Sequence, residues 1–351
     1  NLPSVDVIPS EHFNTVLYSG NGGTSQTVTG VGFPADFIWI KGRSIAAWHR
    51  LQNTVVGINK LGYSNSTTAE ATNEVNGYVS AVSSDGFNLA DPDGNGGGVN
   101  GNGSTYVAWN WKAGGSASSN TNGTITSSVS ANVDAGFSIL TYTGTGVLAA
   151  TIGHGLAQKP ELIIRKDRDT AVNWVVNSTV LGTGNMNQGL FLNTSAAIDT
   201  AQGWMNNTAP TTTVFTQGDQ GFVGVNGRNY IAYCFHSVDG YSKVGSYVGN
   251  GNADGPFVYC GFRPKWILWK NSSAAGNDWD MYDTARDPHN VAYKELLANG
   301  TGAESSSTTL SLDINSNGFK LRTSNANGNG NGNTFVFLAF AETPFKHSNA
   351  R

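Results

Sequence analysis

The chain has 351 residues and a net charge of −4; only 13% of its side chains are charged, while 45 are glycine and 38% are hydrophobic, with 9 Trp, 12 Tyr and 16 Phe. That aromatic content excludes a disordered chain, and the absence of glycine at every third position excludes collagen. Scarce Glu, Lys and Leu exclude a long helical bundle, which leaves a turn-rich β-protein with length for two or three domains.

A slightly acidic balance offers no long-range attraction to nucleic acid, and no apolar run reaches the 18 or so residues of a membrane-spanning helix. Asn1-Leu2-Pro3 is not an initiator sequence, so the chain reads as a processed product or an excerpt of a longer one.

Taken in order, residues 1–12 read as an N-terminal linker, and the rest repeats one pattern three times. Each copy opens on Tyr-x-Gly: Tyr18-Ser19-Gly20, Tyr142-Thr143-Gly144 and Tyr247-Val248-Gly249. A proline turn then leads into an apolar run ending in lysine: Phe37 to Lys41, Leu162 to Lys166 and Trp266 to Lys270. Trp48, Trp174 and Trp279 follow those lysines at near-equal spacing. Each copy closes on an aromatic strand, Tyr106 to Trp111, Tyr230 to Phe235 and Phe335 to Phe340. The step from Tyr18 to Tyr106, Tyr142 to Tyr230 and Tyr247 to Phe335 is 88 residues each time, as expected if the first and last strands hold one relation in a fold.

The fold expected is all-β: three tandem antiparallel β-sandwich repeats of jelly-roll or concanavalin-like type, at residues 13–112, 136–238 and 239–351. Residues 113–135, rich in Ser, Asn and Gly, read as a linker with an extra strand over 124–129. The second seam, near His236 to Val244, is short, so the second and third repeats should be the more rigidly joined. The closing strands are apolar on both faces, which calls for a sandwich core on one side and a loop or neighbour on the other.

Few residues suggest chemistry. Asp91, Asp93 and Asn95 match the first half of a calcium loop, but position twelve holds Asn102 rather than a bidentate glutamate. A Gly/Asn hairpin tip is the plainer reading, and Asn325 to Asn333 occupies the same place in the third repeat. Calcium is the one cofactor the pattern would admit, and no other is implied. Cys234 and Cys260 stand where the other repeats have small or apolar residues and read as buried free thiols, with a bridge as the alternative. Asp278, Asp280, Asp283 and Asp287 gather around Trp279 but lack counterparts in the other repeats, so they read as solvated edges and turn caps. No nucleophile elbow, HExxH or P-loop is present, and the protein is expected not to be an enzyme. Trp204 lies outside the repeated strands and is the best candidate for a surface aromatic that stacks on a sugar.

The motifs Tyr18-Ser19-Gly20-Asn21-Gly22, Gly32-Phe33 through Lys41 and Ser84-Asp85-Gly86-Phe87 resemble repeats in virion proteins of tailed bacteriophages, especially marine and cyanobacterial ones. So do Asp254-Gly255-Pro256-Phe257-Val258-Tyr259, Tyr282 to Pro288 and Ala339 to Lys346; Pro34, one residue early, is a departure confined to a turn. The resemblance covers nearly the whole chain. It implies a structural, fibre-like role on the virion surface, outside the cell, with no shared catalytic residues. It also implies that Asn1-Leu2-Pro3 continues from an upstream SPRY-like or concanavalin-like domain. Expected partners are other virion proteins and host-surface glycan, with neither nucleic acid nor membrane insertion, and a homotrimer or three units within one chain. A tail-fibre or spike segment, a capsid decoration protein and a carbohydrate-binding module are the three roles to separate.

Overall fold

The computed structural model describes residues 7–94, 97–200, 203–218 and 221–343. Its regular structure is almost all antiparallel strand; the helical turns among these residues are Pro9–Glu11 and Ala326–Asn329. Asn1-Leu2-Pro3, Asn95 and Pro344-Phe345-Lys346 lie outside the described residues.

Three large sheets follow one another along the chain, each with an opening strand, a closing strand, a proline-led strand and a following strand side by side in that order. In the first sheet these are Phe13–Ser19, Thr105–Trp111, Phe37–Gly42 and Arg50–Asn53. In the second they are Phe137–Thr143, Asn229–Phe235, Leu162–Asp167 and Val175–Ser178. In the third they are Ser242–Val248, Thr334–Ala341, Pro264–Asn271 and Trp279–Asp283.

The recurrent 88-residue step is a strand register. Tyr18 lies opposite Tyr106, Tyr142 opposite Tyr230 and Tyr247 opposite Phe335. Their rings stack with centroids 5.1, 5.1 and 4.7 Å apart. A tyrosine hydroxyl this enclosed needs an acceptor. Each donates to a backbone carbonyl 81 residues further on, that of Val99, Val223 or Gly328, at 2.9, 2.9 and 2.8 Å.

The glycines after the tyrosine follow from the same corner. A Cβ on Gly20, Gly144 or Gly249 would come 2.3, 2.4 and 2.3 Å from the carbonyl oxygens of Gly101, Val225 and Gly330. Gly22, Gly146 and Gly251 adopt φ of +68°, +67° and +65°, a region that side chains disfavour.

Smaller sheets cover the outer faces: Ser25–Thr29 with Gly86–Ala90 and Tyr78–Ser83, Thr151–Gly153 with Val214–Thr216, and Phe257–Tyr259 with Gly318–Leu321 and Leu312–Asn315. Successive strand residues point to opposite faces. Tyr106 and Ala108 therefore enter the outer core with Phe87, as do Tyr230, Ala232 and Cys234 with Phe215, and Phe335 and Phe337 with Phe319. Trp109 and Trp111, Tyr233 and Phe235, and Leu338 and Phe340 face the other way, into one apolar cluster shared by all three sheets. The second covering of the closing strands is thus the other two sheets. A small apolar cavity of about 10 Å³ remains between them, lined by Phe37, Ile164, Tyr233, Trp266 and Leu338 among others.

Two expectations about the seams are corrected. Residues 113–135 are not a free linker: Ser118–Asn120 and Ser127–Asn132 form a hairpin on the edge of the second sheet. Ile125 and Val129 anchor it in the outer core of that sheet, and a ladder needs only backbone groups, which Ser- and Asn-rich segments also supply. Nor is the first segment held more loosely than the third, because both contribute to the shared cluster.

Polar contacts close the three segments into a ring. The Nε1 of Trp174 donates to the carbonyl of Tyr63 at 2.8 Å, and that of Trp279 to the carbonyl of Phe191 at 2.9 Å. In the third contact the Nε2 of His49 lies 2.9 Å from the carbonyl of Leu297. Nδ1 of His49 accepts from the indole of Trp39 at 2.8 Å, which places the imidazole proton on Nε2 and aims it at Leu297. Burial and the Lys41 charge keep this histidine neutral by lowering its pKa well below the usual value.

The spacing of tryptophans had suggested Trp48 for this position. Pairing assigns it to His49: Trp39 lies opposite Leu51 as Ile164 lies opposite Val176 and Leu268 opposite Met281. Trp48 is pushed outward and is 44% exposed. Trp48→Ala should change stability by no more than about 0.5 kcal/mol, whereas Trp174→Ala should cost about 3–5 kcal/mol. Urea midpoints of the two variants compare them directly, and equal losses would contradict the assignment.

Candidate functional site

The repeated lysines are the first chemistry-bearing residues the fold brings to one place in each sheet. Lys41, Lys166 and Lys270 are all buried. The Nζ of Lys41 donates to the carbonyls of Gly302 at 2.7 Å, Gly42 at 3.1 Å and Thr301 at 3.2 Å. Lys166 donates to Asp167 at 2.7 Å and Thr170 at 3.0 Å, and Lys270 to Asn277 at 2.6 Å and Ser195 at 3.4 Å. Burial lowers each to about 8. A lysine poised there can act as a nucleophile where substrate reaches it. These three instead hold loop carbonyls, two of them in a neighbouring segment, and their role is mechanical.

The sequence had suggested solvated edges and turn caps for the aspartates around Trp279; Asp278 is indeed half-exposed and accepts from Asn299 at 2.7 Å, but Asp280, Asp283 and Asp287 are buried. Asp283 is buried and pairs with the buried Arg286 at 2.5 Å. The Asp283 carboxylate also accepts from the Arg286 backbone N–H at 2.8 Å and from the indole of Trp109, in the first segment, at 3.0 Å. Arg286 also reaches Glu304 at 3.3 Å, and Glu304 is bound at 2.9 Å by Arg43 of the first segment. Asp287 accepts from the backbone of Tyr293 and Lys294, a turn cap as expected but a buried one.

Asp280 differs, for neither carboxyl oxygen meets a donor. Burial, then contact with the Glu295 carboxyl, holds its pKa well above the carboxylate range, which favours the protonated acid. A folded pKa above the unfolded one contributes stability that is complete below about pH 3.8 and is lost as pH rises toward the folded value. Asp280→Asn should therefore stabilise the chain at pH 7 by an amount on the order of 1–3 kcal/mol, the cost of a buried polar group lacking its partner. At pH 3 it should change little. Urea unfolding at both pH values checks this, and a loss at pH 7 would contradict it.

The calcium-like loop does not assemble a ligand cage. Asp91 is buried and Asp93 exposed, so the two carboxylates part company, and Asn95 lies outside the described residues. Among the described residues no three His, Cys, Asp or Glu side chains gather as a metal would require. The reading of Asn325 to Asn333 as the counterpart loop has a structural parallel. Asn100 and Asn21 exchange side-chain bonds, and Asn329 and Asn250 do the same. Cys234 and Cys260 are free and buried, and burial pushes both thiols up to about 12, so neither is reactive at neutral pH.

Trp204 is fully buried, contrary to its expected place at the surface. Its ring packs edge-on to Phe191 and against Phe222, centroids 5.8 and 5.7 Å away, in a small cluster with Val175. A loop tryptophan that can cover exposed strand edges folds inward because burying so large a ring outweighs ordering the loop. Among the described residues the exposed aromatics are Trp48, Phe257 at 45% exposure and Tyr259 at 66%. Phe257 and Tyr259 were legible only as part of a repeated motif; alternation around the apolar Val258 was the signal that could have set them on the outer face.

A larger depression, an open groove of about 290 Å³, lies on the second sheet. Ser119, Thr126, Ser128, Thr141 and Thr143 line it with hydroxyls, beside Arg168 and Asn229. Arg168 is held by Glu70 at 2.7 Å and the side chain of Asn229 by Asp169 at 3.2 Å, so these two groups are tied into the fold.

The sheets, their shared core and the seals between them run from Phe13 to Ala341, and a single family match spans that whole range. A domain of unknown function, DUF7483, matches residues 8–344. The chain belongs to that family. No curated protein and no solved structure matches the chain. The family description carries no activity. Among the described residues no helix is long and apolar enough to cross a membrane, which says nothing of β-barrels.

Proposed function

We propose that the chain is a non-enzymatic attachment module of a tailed-phage virion, a tail-fibre or spike segment that contacts the host surface. In this reading it is built from three tandem copies of one antiparallel β-sandwich of jelly-roll or concanavalin-like type. The observation that carries it is the ring of equivalent contacts, Trp174 to Tyr63, Trp279 to Phe191 and His49 to Leu297, around one shared core. Such a ring spends the tryptophans, lysines and buried ion pairs on rigidity. It leaves an exterior sparse in charge and rich in Asn, Thr, Ser and Gly loops, suited to hydrogen-bonding outside the cell. Three copies in one chain also give the threefold symmetry that fibres otherwise obtain from three chains. Likeness of the repeated motifs to phage virion proteins points the same way.

Gold-labelled antibody against the chain, imaged on intact particles, tests the proposal. Label on tail appendages is the expected result. Label confined to the head would move the role to capsid decoration, and unlabelled particles would overturn a virion role. Incubation with host polysaccharide should release no new reducing ends.

A further inference from the structure

The outward face of the strand Phe257–Tyr259 carries something that the equivalent faces of the other segments lack. Val28, Ile152 and Val258 hold one position, each opposite a buried phenylalanine, Phe87, Phe215 or Phe319. The residues flanking them are Thr27 and Thr29 in the first segment, Thr151 and Gly153 in the second, and Phe257 and Tyr259 in the third. Threonine or glycine thus suffices to build this sheet. Two large rings left in water are not required by the fold, and their exposure is unfavourable unless something covers them.

The surroundings indicate what would cover them. Phe257 leans across the sheet, its Cζ only 3.0 Å from where a Cβ on Gly318 would be, so a side chain at that position would displace the ring. Asn315 lies opposite Gly318, which lies opposite Tyr259, and Asn315 makes no side-chain hydrogen bond to another described residue. The nearby charges neutralise one another: Lys320 binds Asp254 at 2.9 Å, and Arg322 binds Asp313 at 2.6 Å and Asp254 at 3.5 Å. Two cations and two anions leave no net charge for an ionic ligand. Two rings and a polar rim also fall well short of the roughly 800 Å² per partner that a stable protein interface buries. A small, uncharged partner with one apolar and one hydrogen-bonding aspect fits, and a sugar ring has both.

We infer that Phe257 and Tyr259, two residues apart on one face of the strand, form a stacking platform for a neutral saccharide, with Asn315 beside them to engage hydroxyls. The platform deepens the attachment reading by naming what a host surface would present, and it is tested on the purified chain so that either idea can fail without the other.

The probes are neutral hexasaccharides of glucose, galactose, mannose and N-acetylglucosamine, titrated calorimetrically into the wild-type chain and into Phe257→Thr/Tyr259→Thr. That double variant installs side chains which the first segment already carries at these positions, so the sheet should persist, and circular dichroism verifies it. The expected result is binding of at least one hexasaccharide by wild type, weakened tenfold or more in the folded double variant. Trp48→Ala should bind as wild type does. Three results would overturn the inference: no hexasaccharide bound by wild type, equal binding by the double variant, or a dimeric wild type that the double variant converts to monomer. The last would make the face a contact between copies.

Discussion

Trp109→Ala is expected to destabilise the entire chain by about 3–5 kcal/mol, in one transition rather than as the loss of the first segment alone. Trp109 is fully buried where the sheets meet, edge-on to Trp39 with centroids 6.1 Å apart and 6.3 Å from Trp266 of the third segment. Its indole donates to Asp283, and the Arg286 guanidinium lies 5.7 Å from its ring centre. Truncation opens a cavity in close-packed surroundings, which relax only in part. It also strips one donor from a buried carboxylate and the aromatic face from a buried cation. Trp109→Phe keeps most of the volume and loses the N–H, so about 1–2 kcal/mol is expected. Far-ultraviolet circular dichroism and tryptophan fluorescence followed through urea unfolding should give coincident curves for both variants. Separate transitions would mean that the three sheets unfold independently and that the shared core does not couple them.

That coupling was only half visible in the sequence. The all-β class and the recurring strands could be read because local turn chemistry imposes them: Tyr-x-Gly-x-Gly recurs since one glycine faces a carbonyl and the other needs positive φ. The 88-residue step was readable because cross-strand partners cannot slip without turning every side chain to the wrong face. What covers the second apolar face was not readable, since a strand buried on both sides looks the same whether a loop or a sister sheet lies above it.

His49 was missed because an equal donor, an imidazole N–H, replaces an indole while a chance tryptophan sits one residue away. Asp283 was misjudged because one of its partners, the indole of Trp109, comes from another segment. Trp204 was misplaced because distance from a repeated strand was taken as distance from the core. Of the surface, only the polar character was evident; that Phe257 and Tyr259 face outward depends on which side of a small sheet meets the core.

The expected fate of one segment alone follows from the same arrangement. Residues 113–238, which include the edge hairpin, should when produced separately be insoluble or self-associated rather than a folded monomer. The outer core of this segment, with Ile152, Phe215 and Tyr230, is complete within it. The opposite face of its sheet presents Phe137, Ile139, Leu162, Ile164, Tyr233 and Phe235, which in the whole chain meet the other two sheets. So many apolar side chains on one flat face exceed what soluble monomers leave exposed. Replacing Ile139, Ile164 and Tyr233 with threonine should bring the isolated segment toward a soluble monomer, since threonine suits strands and tolerates water. The same three changes in the full chain should unfold it, because they place hydroxyls without partners in the shared core. Light scattering after size exclusion reports the state of each protein. A monomeric, strand-rich wild-type segment would show that its sandwich is self-sufficient and that the ring is assembled from independent domains.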